Sequence, residues 1–365
     1  MTYLDNYESS TTVEEVPDRH CNGHTTENGA TGDQEAADPS HDHLDDDELK
    51  FSITQMCIDF YYLDKSKILW DMVLIFIVAH VLAGYGCYVF ITFQCYLFSI
   101  IFSVIGGIAG GLGVTMGVHR YWSHQAFKAK LPIQVALMLM NCIAFQESIF
   151  IWGRNHRIHH KWSDTDRDFT NSRRGFFFAH MGWKMYEMHP EVYVGRKLVP
   201  CNDLLADPIV KFQHDYYYWI SIPVAFIIPT LIPVLFWGEP IVNAFTMCVC
   251  FRLACTFHFT WCINSVAHLY GYQPYDRSSH AFENKVLGAF ALGEGWHNYH
   301  HAFPNDYRAS EVDGWFGNLT TKVIDFLNRT NQTYDLVTVS DDIVVKRTVR
   351  TGNPTLRIPR AQTTF

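Results

Sequence analysis

Nine of the 19 histidines fall into four tight groups. The first is His119-Arg-Tyr-Trp-Ser-His124 and the second is His156-Arg-Ile-His159-His160. The third is Asn264-Ser-Val-Ala-His268, and His297-Asn-Tyr-His300-His301 completes the set. In a helix, positions i, i+3 and i+4 share a face. His156, His159 and His160 can therefore converge on one point, as can His297, His300 and His301, and the pair Asn264 and His268. His119 and His124, at i and i+5, stand about 140° apart on an ideal helix. They can share a site only if they grip two metals or the helix end distorts. Transition metals take roughly four to six ligands, so nine imidazoles make two metals the economical count. All-nitrogen ligation suits Fe, Zn, Cu or Ni, and the residues leave that choice open. Soluble di-iron bundles differ, using Glu and Glu-x-x-His. One box alone would read as an ordinary polar patch; four boxes read as a metal centre.

Four apolar runs must position these groups. Residues 69–91 hold one charge, Asp71; residues 95–118 and 217–237 hold none; residues 241–263 hold only Arg252 and His258. Each reaches the ~20 residues needed to cross a hydrocarbon core. The runs pair as hairpins through residues 92–94 and 238–240. The segment 119–216 between the pairs carries 13 Lys and Arg, which places it, and both tails, in the cytoplasm by the positive-inside rule. A further apolar stretch, 133–152, is broken by Asn141, Gln146 and Glu147 and reads as one helix embedded at the interface. The four boxes then meet on the cytoplasmic edge. The expected fold is all-α: a polytopic membrane protein of four transmembrane helices in two hairpins, capped by a cytosolic helical domain that holds a His-rich dimetal site.

Composition agrees. Hydrophobic residues are 48% and charged residues 18% of the 365. The net charge of −9 belongs to residues 1–50, which hold 14 Asp and Glu against Arg19 and Lys50. That tail has too few large apolar groups to offset ordering entropy and reads as disordered. Its His20, His24, His41 and His43 read as solvated. The membrane unit is expected at 51–351 and a flexible tail at 352–365. No dense basic stripe marks a nucleic-acid binder. The ten cysteines form no CxxC; most, such as Cys142 and Cys248, lie in apolar runs and read as buried hydrophobes without a disulfide framework. No apolar signal region opens the chain.

Three stretches carry a resemblance: His119-Arg-Tyr-Trp-Ser-His124; Trp152-Gly-Arg-Asn-His156-Arg-Ile-His159-His160-Lys161; and Gly293-Glu-Gly-Trp-His297-Asn-Tyr-His300-His301-Ala-Phe-Pro-Asn-Asp-Tyr-Arg308. With Arg174-Gly-Phe-Phe-Phe178 and Asn264-Ser-Val-Ala-His268 they resemble the membrane fatty acyl-CoA desaturases of the stearoyl-CoA Δ9 type, insect-like in pattern, over about residues 52–351. The resemblance implies two irons held by the nine histidines, with Asn264 reaching one iron through water. It implies an O2-dependent insertion of a cis double bond, Δ9 by expectation, into a saturated fatty acyl-CoA, in the endoplasmic reticulum membrane. Its fused relatives carry a His-Pro-Gly-Gly haem motif; here His189-Pro190 continues as Glu191. Electrons are thus expected from a separate cytochrome b5 and its NADH reductase.

A saturated chain offers no polar handle, so the site needs a long apolar tunnel bent at the metals. By resemblance Gln146, Trp152 and Thr260 line the bend, Trp261 lies on the headgroup side, and Arg154 and Asn155 belong to the headgroup pocket. Gly107 and Gly111 stand where bulk in the family closes the methyl end. The competing reading is that the glycines of this run (Gly106, Gly107, Gly110, Gly111, Gly113 and Gly117) serve close helix packing. The headgroup positions depart from the family at Asp71, Glu147, Asn155 and Glu187-Met188, mostly by losing positive charge or adding negative. Phosphate recognition favours Arg or Lys, and Arg154, Arg173, Arg174 and Lys184 remain. This keeps open a desaturase or hydroxylase acting on another lipid-linked acyl chain. A membrane metal carrier is the non-enzyme rival, although its ligands belong near the bilayer midplane. Asn318, Asn328 and Asn331 each begin an N-x-Thr sequon that a cytosolic location leaves unmodified.

Overall fold

A computed structural model describes residues 64–359. The acidic tail, with its four histidines, lies outside the described residues. Four helices are long and apolar enough to cross a membrane: α1 (Trp70–Ile91), α2 (Leu97–Ser123), and, after a cap segment, α6 (Tyr217–Trp237) and α7 (Ile241–Leu269). Between the pairs stand α3 (Leu131–Ala144), α4 (Ile149–Trp162) and α5 (Phe176–His180), then three short helices between Pro190 and Asp215. After α7 come α8 (Lys285–Phe290), α9 (His297–Ala302), α10 (Leu319–Arg329) and α11 (Asp341–Thr351). Among the described residues the one paired sheet is a ribbon of two residues per strand, β1 (Lys128–Ala129) antiparallel to β2 (Thr333–Tyr334).

α1 is apolar all round, and Leu74, Ile75, Ile77 and Val81 are exposed on it, as suits lipid contact. Its packing face is small: Ala83, Gly86 and Val89 are its buried residues. A Cβ on Gly86 would stand 2.2 Å from the Thr246 carbonyl oxygen of α7. The hairpins turn where expected. Gly238 takes φ +72° after α6, a conformation glycine adopts without a Cβ clash. The neighbouring Glu239 is buried and accepts from Tyr96 N (2.9 Å) and from Ser99 Oγ, which ties the second hairpin to the start of α2.

Two spans outrun their apolar stretches. α2 ends at Ser123 and not near 118, and α7 at Leu269 and not at 263. Their lengths of 27 and 29 residues correspond to about 40 Å each, beyond a hydrocarbon core of about 30 Å. The surplus turns carry His119 and the pair Asn264 and His268. Apolar patterning stops where the polar boxes begin, but the helix continues because the site satisfies those side chains.

The stretch 133–152 is not one helix. α3 and α4 meet at an 82° bend. Phe145 closes α3 at φ +54° and Glu147 follows at φ +75°; Ser148 then caps α4 by accepting from Ile151 N at 3.3 Å. α3 crosses α2 closely. A Cβ on Gly113 would lie 2.2 Å from the Met140 carbonyl carbon, and one on Gly110 would lie 3.3 Å from Ala144 N. The C-terminal segment expected to be flexible from 352 is held as far as Arg357. Asn353 N donates to Pro274 O at 2.8 Å, and Arg357 makes a bidentate pair with buried Glu311 at 2.6 and 2.8 Å. All cysteines among the described residues are free thiols.

Candidate metal centre

The nine histidines resolve into two clusters. His119, His124, His156, His160 and His300 form one; His159, His268, His297 and His301 form the other; within each, the ligand atoms lie within 4.8 Å of one another. In the first, Nε2 atoms approach to 2.9 Å for His119 and His300, 2.8 Å for His124 and His156, and 2.9 Å for His160 and His300. In the second, His297 Nε2 lies 3.0 Å from both His268 Nε2 and His301 Nε2. Neither helical triplet converges on one point. On α4, His156 and His160 serve one cluster and His159 the other; on α9, His297 and His301 serve one and His300 the other. Positions i+3 and i+4 diverge by about 100° around a helix, so a helix lying between two sites feeds both.

His119 and His124 share a cluster because the helix end distorts. Residues Gly113–Ser123 are π-helical, and His124 N donates to His119 O at 3.1 Å, an i to i+5 bond. That winding brings i and i+5 onto one face, and the two rings stand 5.0 Å apart. Asn264 lies one turn before His268 on α7 and lines the same cavity as His159 and His297, on the side of the second cluster.

Three carboxylates orient these imidazoles. His159 Nδ1 donates to Asp168 Oδ2, His268 Nδ1 to Asp164 Oδ2, and His119 Nδ1 to Glu294 Oε2, each at 2.9 Å. Each bond puts the ring proton on Nδ1 and turns the Nε2 lone pair toward the centre. Glu294 also binds buried Arg120 at 2.8 Å, and Arg120 donates onward to Tyr307 O at 2.9 Å and Thr321 Oγ1 at 2.9 Å. This joins the end of α2 to the loop after α9 and to α10. Sequence reasoning missed Asp164, Asp168 and Arg120, and quoted Glu294 without a role. The available signal was position, since each stands inside or a few residues from a histidine box.

Electrostatics suit metal binding. Burial, with neighbouring imidazoles, holds His124, His156, His160, His297, His300 and His301 well below the ordinary histidine range, so they are neutral at pH 7. At His159 burial opposes the proton, but Asp168 and Asp164 outweigh it and push the value up. Burial acts against the charge of Glu294, yet Arg120 and His119 hold it down at about 2. Asp164, likewise buried, is held down by His268 and by the Ser172 N–H. Neutral nitrogen donors backed by carboxylates fit two transition-metal ions and do not fit hard cations such as Mg²⁺ or Ca²⁺.

A cavity of about 340 Å³ opens from His119, His156, His159 and His297 and runs between α2 and α7. Trp152, Thr260, Gly107 and Gly111 line it. Trp152 stacks on His156, with ring centroids 4.9 Å apart. Gln146, in the α3–α4 bend, stands behind Thr260 and donates to its Oγ1 at 2.9 Å. Trp261, Arg154 and Asn155 are not among the lining residues. Trp261 packs against Phe76, Phe257 and His180. Arg154 lies over the Phe150 ring at 5.3 Å, and Asn155 Oδ1 accepts from Arg196 at 3.5 Å.

Residues 65–69 run beside 185–187, with Ile68 bridged to Tyr186 and Glu187 N donating to Lys67 O at 2.9 Å. Exposed Glu187 belongs to this seam, and exposed Asp71 follows it two residues after Leu69, in the first turn of α1. Lys184 is paired with Glu147, and Arg174 lies over Phe178 at 3.6 Å. A further imidazole chain escaped the sequence reading. His80 of α1 and His258 of α7 meet at 3.1 Å, and His258 meets His180 of α5 at 2.9 Å.

A sequence profile of the fatty acid desaturase family matches residues 94–309. The chain is 44% identical to an acyl-CoA Δ9 desaturase of Acheta domesticus over 289 residues, covering 79% of this chain and 80% of that one. It is 43% identical to an (11Z)-hexadec-11-enoyl-CoA conjugase of Bombyx mori, over 81% and 89% of the two chains. It is 41% identical to an acyl-CoA Δ12-desaturase of Acheta domesticus, over 79% and 81%.

Proposed function

The chain belongs to the fatty acid desaturase family, and from that footing we propose that it inserts a cis double bond at Δ9 of a saturated fatty acyl-CoA. The reaction takes two hydrogens from adjacent methylenes, consumes O2, two electrons and two protons, and releases two waters. The observation that carries the reading is the donor set: nine imidazoles in two clusters, three of them backed by carboxylates, at the head of an apolar cavity. We assign the metals as two Fe²⁺ and the electron donor as cytochrome b5, reduced by its NADH reductase. We place the enzyme in the endoplasmic reticulum membrane, with both termini and the metal centre cytosolic.

The nine histidines, with Asn264 beside the second cluster, would hold iron, which would supply the oxidising power that an unactivated C–H bond requires. The chain's own residues do the rest. Asp164, Asp168 and Glu294 keep His268, His159 and His119 with Nε2 facing inward. Trp152 and the Gln146–Thr260 bond bend the acyl chain where it passes the clusters, and proximity selects the methylene pair. The Δ9 position follows the Acheta domesticus relative. The test is expression in yeast lacking its own Δ9 desaturase, with double bonds located by mass spectrometry. Δ9 monoenes are expected. Iron-loaded protein that forms no new double bond would favour the metal carrier.

One observation favours a second carrier for the acyl chain. Lys184, a cation that could meet CoA phosphates, is paired with Glu147, Glu187 adds negative charge in the seam with residues 65–69, and Asp71 adds another at the start of α1. Like charges across an interface cost affinity. Asp71→Arg with Glu187→Arg is expected to tighten stearoyl-CoA binding, most at low salt. If the native substrate is another lipid-linked acyl chain, the same change impairs its turnover instead.

A further inference from the structure

The cavity continues along α2 well beyond the histidine clusters. Along α2 its wall is formed by His119, Thr115, Gly111, Gly107, Ser103 and Ile100. From His119 to Ile100 the helix rises about 25 Å, allowing for the shallower π-helical turns. An extended carbon chain advances about 1.2 Å per bond, as the three bonds of an extended residue do over about 3.5 Å. The nine carbons beyond a Δ9 bond in an 18-carbon chain need about 11 Å and end near Gly111. Past that level the cavity has room for about ten more carbons.

At Gly111 a Cβ would stand 2.7 Å from Leu292 Cδ1, but one turn farther into the extension packing does not require glycine. Gly110 and Gly113 face the α3 backbone, but a Cβ on Gly107 would meet only Arg252 Cγ, at 3.8 Å. Arg252 is the one charge in this half, and it does not block the way. Its guanidinium is turned into the wall, donating to Cys248 O at 2.8 Å, Ile143 O at 2.9 Å and Ala225 O at 2.9 Å. Its methylenes line the cavity. Beyond Arg252 the lining is Met247, Phe251 and Phe90. Phe90, Val104 and Ile108 line the cavity and are also 36%, 54% and 39% exposed. The far end therefore meets partly exposed apolar side chains and no charged floor.

We propose, resting on the desaturase reading above, that this site acts on saturated very-long-chain acyl groups of about 24 to 28 carbons, whose methyl segment passes Gly107 and runs beside the Arg252 stem. The reacting carbons stay at the histidine clusters, and the added length lies on the methyl side. The test uses microsomes from cells expressing the full-length protein, supplied with NADH and saturated acyl-CoAs of 16 to 28 carbons. Wild-type protein is expected to desaturate 26-carbon substrate at least as well as 18-carbon substrate. Gly107→Leu is expected to lower the ratio of 26- to 18-carbon product at least tenfold. Ser103→Leu, one turn farther along, is expected to move the cut-off about five carbons later than Gly107→Leu does. The product ratio is internal to each sample, so poor folding lowers both products without imitating the shift. Product from 18 carbons with none from 24 or 26 overturns this inference alone, as does an unchanged ratio in both variants. No product at any length overturns the desaturase reading and this inference with it.

Discussion

At the scale of single residues, the centre depends on which nitrogen of each imidazole is free. His160 contributes to the five-histidine cluster, with its Nε2 2.9 Å from His300 Nε2. His160→Ala is expected to abolish turnover and lower bound metal toward one ion per chain. Membrane insertion should persist, because the spans do not depend on that side chain. Metal analysis of the purified variant, with an alkaline-extraction assay for insertion, checks this; full activity would remove the basis for the cluster. Asp164→Asn is a finer test. The amide keeps the shape but loses the charge that holds the proton on His268 Nδ1. Loss of such an outer partner costs about 10- to 100-fold in metal affinity or activity. A chelator competition curve should shift by that amount while the folded yield is kept.

At the scale of elements, the close contacts are where substitution tells. Gly113 lets α2 and α3 touch backbone to backbone, and a Cβ there would lie 2.2 Å from Met140 C and 2.3 Å from Asn141 N. Gly113→Ala is expected to destabilise the protein by about 1–3 kcal/mol, the usual range for overpacking, and to lower the melting temperature in detergent. Gly107→Ala should be near neutral in the same assay, since its Cβ meets no backbone.

The contact of α5 with α7 gives a pH dependence. Burial first, then the neighbouring His258, push His180 down to about 4. Its unfolded value is about 6.5, so the fold favours the neutral ring. The contribution is present above pH 6.5 and is lost as pH falls from 6.5 through about 4. The ring faces His258, Ser265 and Trp261 of α7 and Phe176 of its own helix, and none of these is a carboxylate that would rescue the charge. The fall in melting temperature between pH 6.5 and 4.5 should be smaller in His180→Gln than in the wild type. An identical fall in both would show that this ring does not titrate with the fold.

At the scale of the whole molecule, charge and topology make one argument. The segment between the hairpins carries the excess of Lys and Arg, which favours the cytosolic side of a bilayer. In the orientation proposed above, the sequons lie where glycosyltransferases do not act. Asn318 has an independent reason to stay unmodified: it is buried, accepts from Thr321 N at 3.2 Å and donates to Arg308 O at 2.8 Å. Native protein is expected to show no mobility shift on glycosidase treatment, and an acceptor sequon engineered into the turn at 238–240 should be modified only if the spacing to the membrane permits. Glycans on Asn328 or Asn331 of the native protein would invert the orientation.

Much of this was legible from residue order alone, and for a physical reason. Hydrocarbon demands long uninterrupted apolar runs, so all four spans stand out in the sequence, and α6 appears with its ends as read. Metal ligation demands particular side chains, so the nine histidines and Asn264 are visible as boxes. Helix ends were not legible at Ser123 and Leu269, because the polar residues there are satisfied by partners distant in the chain. The 82° bend was hidden because it rests on backbone dihedrals at Phe145 and Glu147, residues with no strong preference for that conformation. Spacing could not say which histidine joins which cluster; only the position of α4 and α9 between two sites decides it. The π-helical end of α2 resolves the i, i+5 problem that an ideal helix leaves open. The division among the glycines of α2 was equally undecidable in sequence. Gly110 and Gly113 face a backbone while Gly107 faces a cavity, and that difference exists only once α3 and α7 have packed against the same helix from two sides.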